Sequence, residues 1–327
     1  MRAVGLLILA IVPALAGEGS ETRYSLSVTD EGELATGLRV PGADNGNLLL
    51  VEPSFAYKSG DRWRFATSLA GVTQTEGDTH AQVRVKETYF DLTLGDVDFT
   101  MGTDPTDRLS LYQGREMVKA DWVAGVHDVT VAWASAGVLD TRRQGMYDTT
   151  ALRYNVLAAG FDTSVIVAHQ GGGANFAGAN FTRVIGTAVE LHGEFAWREA
   201  AAVLFGGKYT TASGITTIAE FYTTPNTAYF RSLGLPASAG RQHYGYVRIA
   251  KSRLRERPGW KEWDVAASWV ANLNDGSHVA VFDAGRRFGN HFYTYGHAQA
   301  PAGKHRGSEY GAIPYSALTS IGVTFQL

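Results

Sequence analysis

Thr187-Ala188-Val189-Glu190-Leu191-His192-Gly193-Glu194-Phe195-Ala196-Trp197-Arg198 alternates apolar and polar residues: Val189, Leu191, Phe195 and Trp197 share one parity, while Glu190, His192, Glu194 and Arg198 share the other. A β-strand sends successive side chains to opposite faces, so this run has one face suited to hydrocarbon and one suited to water. The same period returns far away in the chain. In 62–72, Trp63, Phe65 and Leu69 oppose Arg62, Arg64 and Ser68; in 261–272, Trp263, Val265, Ala267 and Trp269 oppose Glu262, Asp264, Ser268 and Asn272. Period-two alternation repeated in separate segments of this length predicts an all-β, antiparallel up-and-down transmembrane barrel.

Working outward from those runs, about eighteen segments of roughly 8 to 12 residues are rich in Val, Ile, Thr, Phe, Tyr and Trp and are bounded by turn residues. They are expected near 33–40, 47–58, 62–72, 81–94, 97–103, 115–124, 127–136, 148–157, 160–170, 175–185, 187–198, 201–211, 213–223, 241–252, 261–272, 276–287, 289–299 and 316–326. Their connectors alternate in length, as they do when short turns face the periplasm and longer loops face outside. Ser59-Gly60-Asp61, Gly95-Asp96, Ile185-Gly186 and Ala212-Ser213-Gly214 read as periplasmic turns, and 73–80, 104–114, 137–147, 224–240 and 300–315 read as external loops. Two connectors break the rule and leave sixteen strands as the alternative count: Glu199-Ala200 is short for an external loop, and 253–260 is long for a periplasmic turn.

Both ends of the chain agree with a secreted barrel. Met1-Arg2, the apolar run Ala3 to Val12, Pro13 and Ala14-Leu15-Ala16 form a signal peptide with an A-x-A cleavage site, so residues 1–16 are set apart from the fold. Residues 17–31 are then a periplasmic segment or the start of the first strand, and 32–327 a single barrel domain with both termini periplasmic. At the other end Ile321, Val323, Phe325 and Leu327 alternate with Ser320, Gly322, Thr324 and Gln326. That resembles the terminal strand read by barrel-assembly machinery, with Leu in place of the usual final aromatic. Aromatics fall where interfacial girdles belong: Tyr57, Trp63, Tyr209, Trp260 and Trp263 at expected periplasmic ends, Trp197 and Trp269 at expected external ends.

Bulk composition hides all of this. With 19% charged residues and a mean hydropathy of -0.11, the chain looks soluble, because a barrel exposes only alternate residues to lipid. A net charge of -3 gives no attraction for nucleic acid, and the lack of Cys excludes disulfides, thiolate metal sites and covalently attached haem.

The run Val83 to Gly102 (Val-Arg-Val-Lys-Glu-Thr-Tyr-Phe-Asp-Leu-Thr-Leu-Gly-Asp-Val-Asp-Phe-Thr-Met-Gly) resembles a hairpin of the alginate-export-like porins and their uncharacterised barrel relatives. Gly207 to Tyr222 and Trp263 to Asp275 are similar to the same group. The resemblance implies an eighteen-strand type of barrel and transport across the outer membrane. Polysaccharide exporters of that group line their pores with an excess of Arg, which this lumen lacks, so no particular solute is implied.

Catalytic and metal signatures are missing: there is no G-x-S-x-G, P-loop or H-E-x-x-H. His291 and His297 share a parity but lie about 20 Å apart along a strand, too far for one metal, and no cofactor is expected. The candidate functional surface is the inner wall, since a barrel this wide cannot be filled by its own side chains. Inward parity selects Arg62, Arg64, Lys119, Arg153, Lys208, Arg248 and Arg287 as cations, with Arg198 added by the 187–198 run. Anions on that parity are Glu52, Glu87, Asp91, Asp121, Asp162, Glu190, Glu194, Glu220, Asp264 and Asp283. Arg84 and Lys86 fall on the opposite side from Glu87, Tyr89, Asp91 and Thr93, which places them above the hydrocarbon; a bulge at Glu87 would instead put them in the lumen. The loop 104–114, with Asp107, Arg108 and Tyr112, is a candidate constriction, as is 224–240.

These features predict a passive outer-membrane channel for small polar solutes or ions, with lipids and the assembly machinery as its partners and a monomer or trimer as its assembly. The competing readings are a barrel-wall hydrolase, lipase or protease, and a sheath around a partner such as a redox carrier.

Overall fold

The computed structural model describes residues 20–36, 47–76, 78–104, 115–135, 148–172, 175–225, 242–252, 262–303, 308–313 and 316–326; side chains at 33–36, 74–76, 78–86, 103, 104, 115 and 312 are left aside. The signal peptide 1–16, Trp260, the candidates Asp107, Arg108 and Tyr112, the loop 226–240 and Leu327 lie outside the described residues.

Eighteen strands form one antiparallel sheet in which each pairs with its sequence neighbours. They are β1 (Ser20–Thr36), β2 (Asn47–Ser59), β3 (Trp63–Glu76), β4 (Asp78–Leu94), β5 (Val97–Asp104), β6 (Arg115–Ala124), β7 (His127–Ala134), β8 (Thr149–Ala158) and β9 (Phe161–Gln170). The remainder are β10 (Phe176–Ile185), β11 (Val189–Trp197), β12 (Ala201–Thr210), β13 (Ile215–Thr224), β14 (Gln242–Ser252), β15 (Trp263–Asn272), β16 (His278–Phe288), β17 (Phe292–Ala302) and β18 (Ala317–Gln326). Pairing of β1 with β18, from Ser27 opposite Gln326 to Thr36 opposite Ala317, closes the sheet and removes every edge. The count is eighteen, not sixteen.

Two expectations about strand extent need correction. The first strand, expected at 33–40, runs from Ser20 to Thr36, so of the two readings of 17–31 the start of the first strand holds for 20–31. Tyr24, Leu26 and Val28 already alternate there, but Asp30 and Glu31 break the apolar pattern and disguise the strand. The expected loop 73–80 is instead strand on both sides of residue 77, as β3 runs to Glu76 and β4 begins at Asp78. Its Thr, Gln and His residues look loop-like only because a strand that has left the hydrocarbon needs no apolar face.

The short turns share one rim. Those after β2, β4, β6, β8, β10, β12 and β16 each carry a glycine of positive φ, such as Gly95 at 64° in the two-residue turn Gly95-Asp96. A left-handed residue at that point lets a tight turn follow the right-handed twist of the strands it joins. In the turn Ala159-Gly160 both residues are left-handed, and Ala159 (φ 51°) is the non-glycine among the described residues that adopts this conformation. The β14–β15 connector, 253–262, is the long exception on this rim, while on the other rim the β3–β4 connection (residue 77) and Arg198-Glu199-Ala200 are short. Strand β1 begins and β18 ends on the short-turn rim, where Ser20 faces Ser59 and the Gln326 amide donates to the His291 carbonyl.

Register separates the two faces of the wall. Val118, Trp122, Val131, Trp133, Leu152, Val165, Val167, Phe195, Phe205, Ile249, Phe282, Ile321 and Val323 are large, exposed and on the outward parity. Ile321 is 66% exposed, a value a soluble protein avoids for isoleucine across a whole face but a lipid-facing belt requires. Aromatics concentrate at the short-turn rim of that face: the tilted rings of Tyr57 and Trp63 lie 5.1 Å apart, Trp63 approaches Phe90 at 6.0 Å, and Phe292 meets Phe325 at 4.9 Å. Trp133, Trp197 and Trp269 hold the opposite rim.

Candidate functional site: the inner wall

The inward parity carries most of the charge. In β3 and β4, Arg64 faces Asp91 across the ladder and donates to the Tyr89 hydroxyl at 2.5 Å, its guanidinium 5.2 Å from that ring. Asp91 accepts from Thr100 at 2.8 Å. Further round, Lys119 pairs with Asp121 at 2.9 Å, Asp121 accepts from Thr130 at 2.5 Å, and Arg153 bridges to Asp128 at 2.9 Å and to Thr130 at 3.1 Å. Lys208 and Glu190 stand opposite each other on β12 and β11, 3.1 Å apart. Arg198, just past β11, reaches across β10 to Gln170 at 2.6 Å.

Other sequence-selected positions share the face by register. Glu194 lies between Asn180 and Leu204, Arg248 between Ile218 and Ser268, and Arg287 beside Tyr293. Glu52, Glu87, Asp162 and Asp264 occupy inward register positions opposite Ser27, Ser68, Thr182 and Ser252. Arg62 does not: it lies in the β2–β3 turn, where its carbonyl accepts from the Thr93 amide at 2.6 Å. For Arg84 the placement above the hydrocarbon is corrected. A register shift between Ser68 and Leu69, opposite Glu87 and Val85, sets Lys86 in the bulge and brings Arg84 opposite Ala70, on the register parity of the inner face. One extra residue in a strand reverses the parity beyond it, which simple alternation cannot show.

Two imidazole–carboxylate pairs lie in the wall. His192 Nε2 is 3.0 Å from Glu220 Oε1, the two residues flanking Gly206, where an added Cβ would sit 2.6 Å from Glu220 Cγ and 2.7 Å from His192 Nε2. His297 Nδ1 is 2.7 Å from Asp283 Oδ1, and Ser320 stands opposite His297 in the register. Ser320 is buried and, among the described residues, no seryl hydroxyl bonds to either imidazole, so the geometry of a hydrolase triad is not assembled. No group of three metal-ligating side chains occurs among the described residues.

A connector that alternation did not single out folds onto this face. Between β17 and β18, Glu309 and the 3₁₀ turn Tyr310–Ala312 lean against the inward residues at the far end of β14 and β15. Glu309 Oε2 accepts from the Tyr244 hydroxyl at 2.9 Å and from Asn272 Nδ2 at 2.6 Å, and Asn272 Nδ2 also donates to Gln242 at 3.0 Å. From the β15–β16 turn, Asp275 accepts the Glu309 amide at 2.8 Å and the Ser277 amide at 2.7 Å, while Ser277 Oγ accepts the Tyr310 amide at 3.2 Å. The hydrogen bonds of the Ser277 side chain and of the Glu309 and Ser277 amides hold the Asp275 carboxyl below its ordinary value of 3.8 although burial pulls it the other way. Burial, with the charges of Glu309 and Asp275, pushes the Tyr310 phenol up to about 12. Because this connector has no periodicity, it reads in the sequence only as the external loop 300–315, and Gly276 and Ser277 fall within the expected strand 276–287.

Side chains on the inner face stay wet even when paired: Arg153 and Lys208 are 45% and 41% exposed within their salt bridges. A closed eighteen-strand wall with an apolar exterior and a charged inner face defines the class, a β-barrel of the membrane-spanning type.

The chain is similar in structure to bacterial outer-membrane barrels. OpdK, an outer membrane protein of Pseudomonas aeruginosa, superposes with a TM-score of 0.67 at 8% identity over 94% of this chain and 99% of that one. OccAB4 of Acinetobacter baumannii gives 0.65 at 8% over 95% and 99%, and a BenF-like porin of Pseudomonas fluorescens gives 0.64 at 7% over 94% and 98%. At such identities the likeness is one of fold. No protein-family model and no curated sequence matches the chain.

Proposed function

We propose that the protein is a passive diffusion channel for small polar solutes or ions in the outer membrane of a Gram-negative bacterium, with its short-turn rim and both chain ends in the periplasm. The observation that carries this reading is the inner wall: charges of both signs, placed by register on one face of a closed barrel and reached by solvent. Lumen charges of opposite sign create a transverse field that favours polar over apolar solutes, while local excess of one sign biases ions. No energy source is required. The Pseudomonas fluorescens neighbour is itself described as a porin, which supports the reading.

Within that channel, the β17–β18 connector is the constricting element, because it is tied to the inner face at Tyr244, Asn272 and Asp275. The loop 104–114, with Asp107, Arg108 and Tyr112, remains a second candidate. Arg64, Glu87, Asp91, Lys119, Arg153, Glu190, Glu194, Arg198, Glu220, Arg248, Asp283 and Arg287 then tune what passes. The resemblance of 83–102 to alginate-export-like porins bears on strand number and supplies no solute.

Liposome swelling tests this directly. Vesicles holding the refolded protein should swell with small sugars and progressively less with larger ones; swelling equal to protein-free vesicles for every sugar would reject the channel.

A further inference from the structure

Charge is unevenly distributed on the outer face. Among described side chains, the outward-facing strand cations are Arg183, Lys251 and Arg286, and each lies within two residues of its strand's end at the short-turn rim. The outward carboxylates, Asp30 and Glu116, lie well away from that rim. A cation in the middle of a lipid-facing wall is strongly disfavoured and at the interface nearly free, so the position of the three marks the headgroup level.

Two of them flank β15. On β16, Arg286 faces Trp263 across the ladder, its guanidinium 4.5 Å from the Phe288 ring and 5.6 Å from Trp263. Its Nε is buried and without a partner, and no carboxylate among the described residues pairs with the guanidinium. Lys251 on β14 faces Val265, two residues along β15 from Trp263, and likewise has no described partner. Among the described residues of this turn, Glu262 keeps its Oε2 buried and bonded to neither. Among the described residues, then, two cations without an acidic partner flank β15 near the short-turn rim, one of them with its guanidinium against two aromatic rings. Arginine held flat on an aromatic face keeps its edge donors free for an oxyanion.

We propose that Lys251, Arg286, Trp263 and Phe288 form a binding site for the phosphate of an anionic phospholipid in the leaflet at the short-turn rim. The phosphate takes the outer edge of Arg286 and the Lys251 ammonium, and the rings of Trp263 and Phe288 border the first acyl carbons. Arg183 on β10, 4.6 Å from the Phe161 ring and six strands from β16, repeats the arrangement with a single cation. The site rests on the membrane-spanning reading of the wall but not on conduction through it.

Native mass spectrometry of the full-length, detergent-released barrel tests it, with phosphatidylglycerol, phosphatidylcholine and inorganic phosphate as probes. The expected result is preferential retention of phosphatidylglycerol over phosphatidylcholine, falling about fivefold in K251Q and again in R286Q, as suits one surface cation each. R286K, which keeps the charge, should lie between wild type and R286Q and guards against a failure of R286Q to fold. Conductance should be unchanged in all three, so loss of lipid retention and loss of channel activity are separable results. Equal retention of the two lipids, a preference that survives the K251Q/R286Q double change, or displacement of the lipid by millimolar inorganic phosphate would each overturn the proposal.

Discussion

Tyr295 on β17 donates its hydroxyl to Glu31 on β1, passing over Gly322 on the intervening strand β18. The three positions lie in one register row across the seam where the last strand meets the first, and a Cβ at Gly322 would overlap the Tyr295 ring. Gly322→Ala should therefore displace the tyrosine and break the bond, lowering barrel stability by about 1–3 kcal/mol. Urea unfolding in lipid vesicles measures it. Tyr295→Phe removes the same bond, so the double variant should be less destabilised than the sum of the two.

At the β8–β9 turn the strain runs the other way. Ala159 holds φ at 51° next to Gly160 at 76°, a conformation in which alanine is disfavoured by about 1–2 kcal/mol. Ala159→Asn, better suited to a left-handed turn, should stabilise the barrel by a few tenths to about 1 kcal/mol, read in the same unfolding assay.

Lys208 and Glu190 offer a test of the inner wall. They pair at 3.1 Å but remain open to solvent, so removing either leaves an unbalanced charge in the bore. Lys208→Gln should move the reversal potential in a salt gradient toward cation selectivity, Glu190→Gln toward anion selectivity, and the double variant back toward wild type. No shift in either single variant would remove this pair from the conducting path.

How much of this was legible follows from period two. The runs at 187–198, 62–72 and 261–272 gave the faces of β11, β3 and β15, and turn glycines such as Gly95 and Gly186 gave the ends of their neighbours. Alternation fails where one residue is added or where polarity stops tracking lipid. The bulge at Lys86 re-aimed the ladder at Arg84, and β1 was obscured by Asp30 and Glu31. Glu309 was invisible for another reason: its role depends on Tyr244 and Asn272, 65 and 37 residues away in the chain, which only the closed barrel brings together.

The fastening of that connector should depend on pH with a definite sign. Asp275 titrates below 3.8 in the folded protein, so its contribution is complete above 3.8 and is lost as pH falls through the lower folded value. Tyr310, raised from 10.0 to about 12, contributes fully below 10.0 and loses its contribution as pH rises through about 12. Protease protection of residues 304–315 should accordingly be flat from pH 5 to pH 9, on the order of these limits, and decline outside them. Asp275→Asn, which surrenders one amide acceptor, should weaken protection at neutral pH by about 1 kcal/mol. Protection that varies between pH 5 and pH 9, roughly mid-window, would mean another group holds the connector.

Glu309 itself separates shape from charge. Glu309→Gln keeps an acceptor for Tyr244 and Asn272 and should leave the connector in place while reducing cation preference. Glu309→Ala should also free the two donors and raise conductance and current noise together. Equal conductance and noise in the two variants would detach the connector from the constriction.

The central claim is that the wall encloses an open bore, and single-channel recording in planar bilayers tests it most directly. The full-length refolded barrel should insert in uniform, ohmic current steps whose reversal potential shifts when Lys208 or Glu190 is neutralised. A folded, inserted barrel that passes no current above the bare membrane would contradict it.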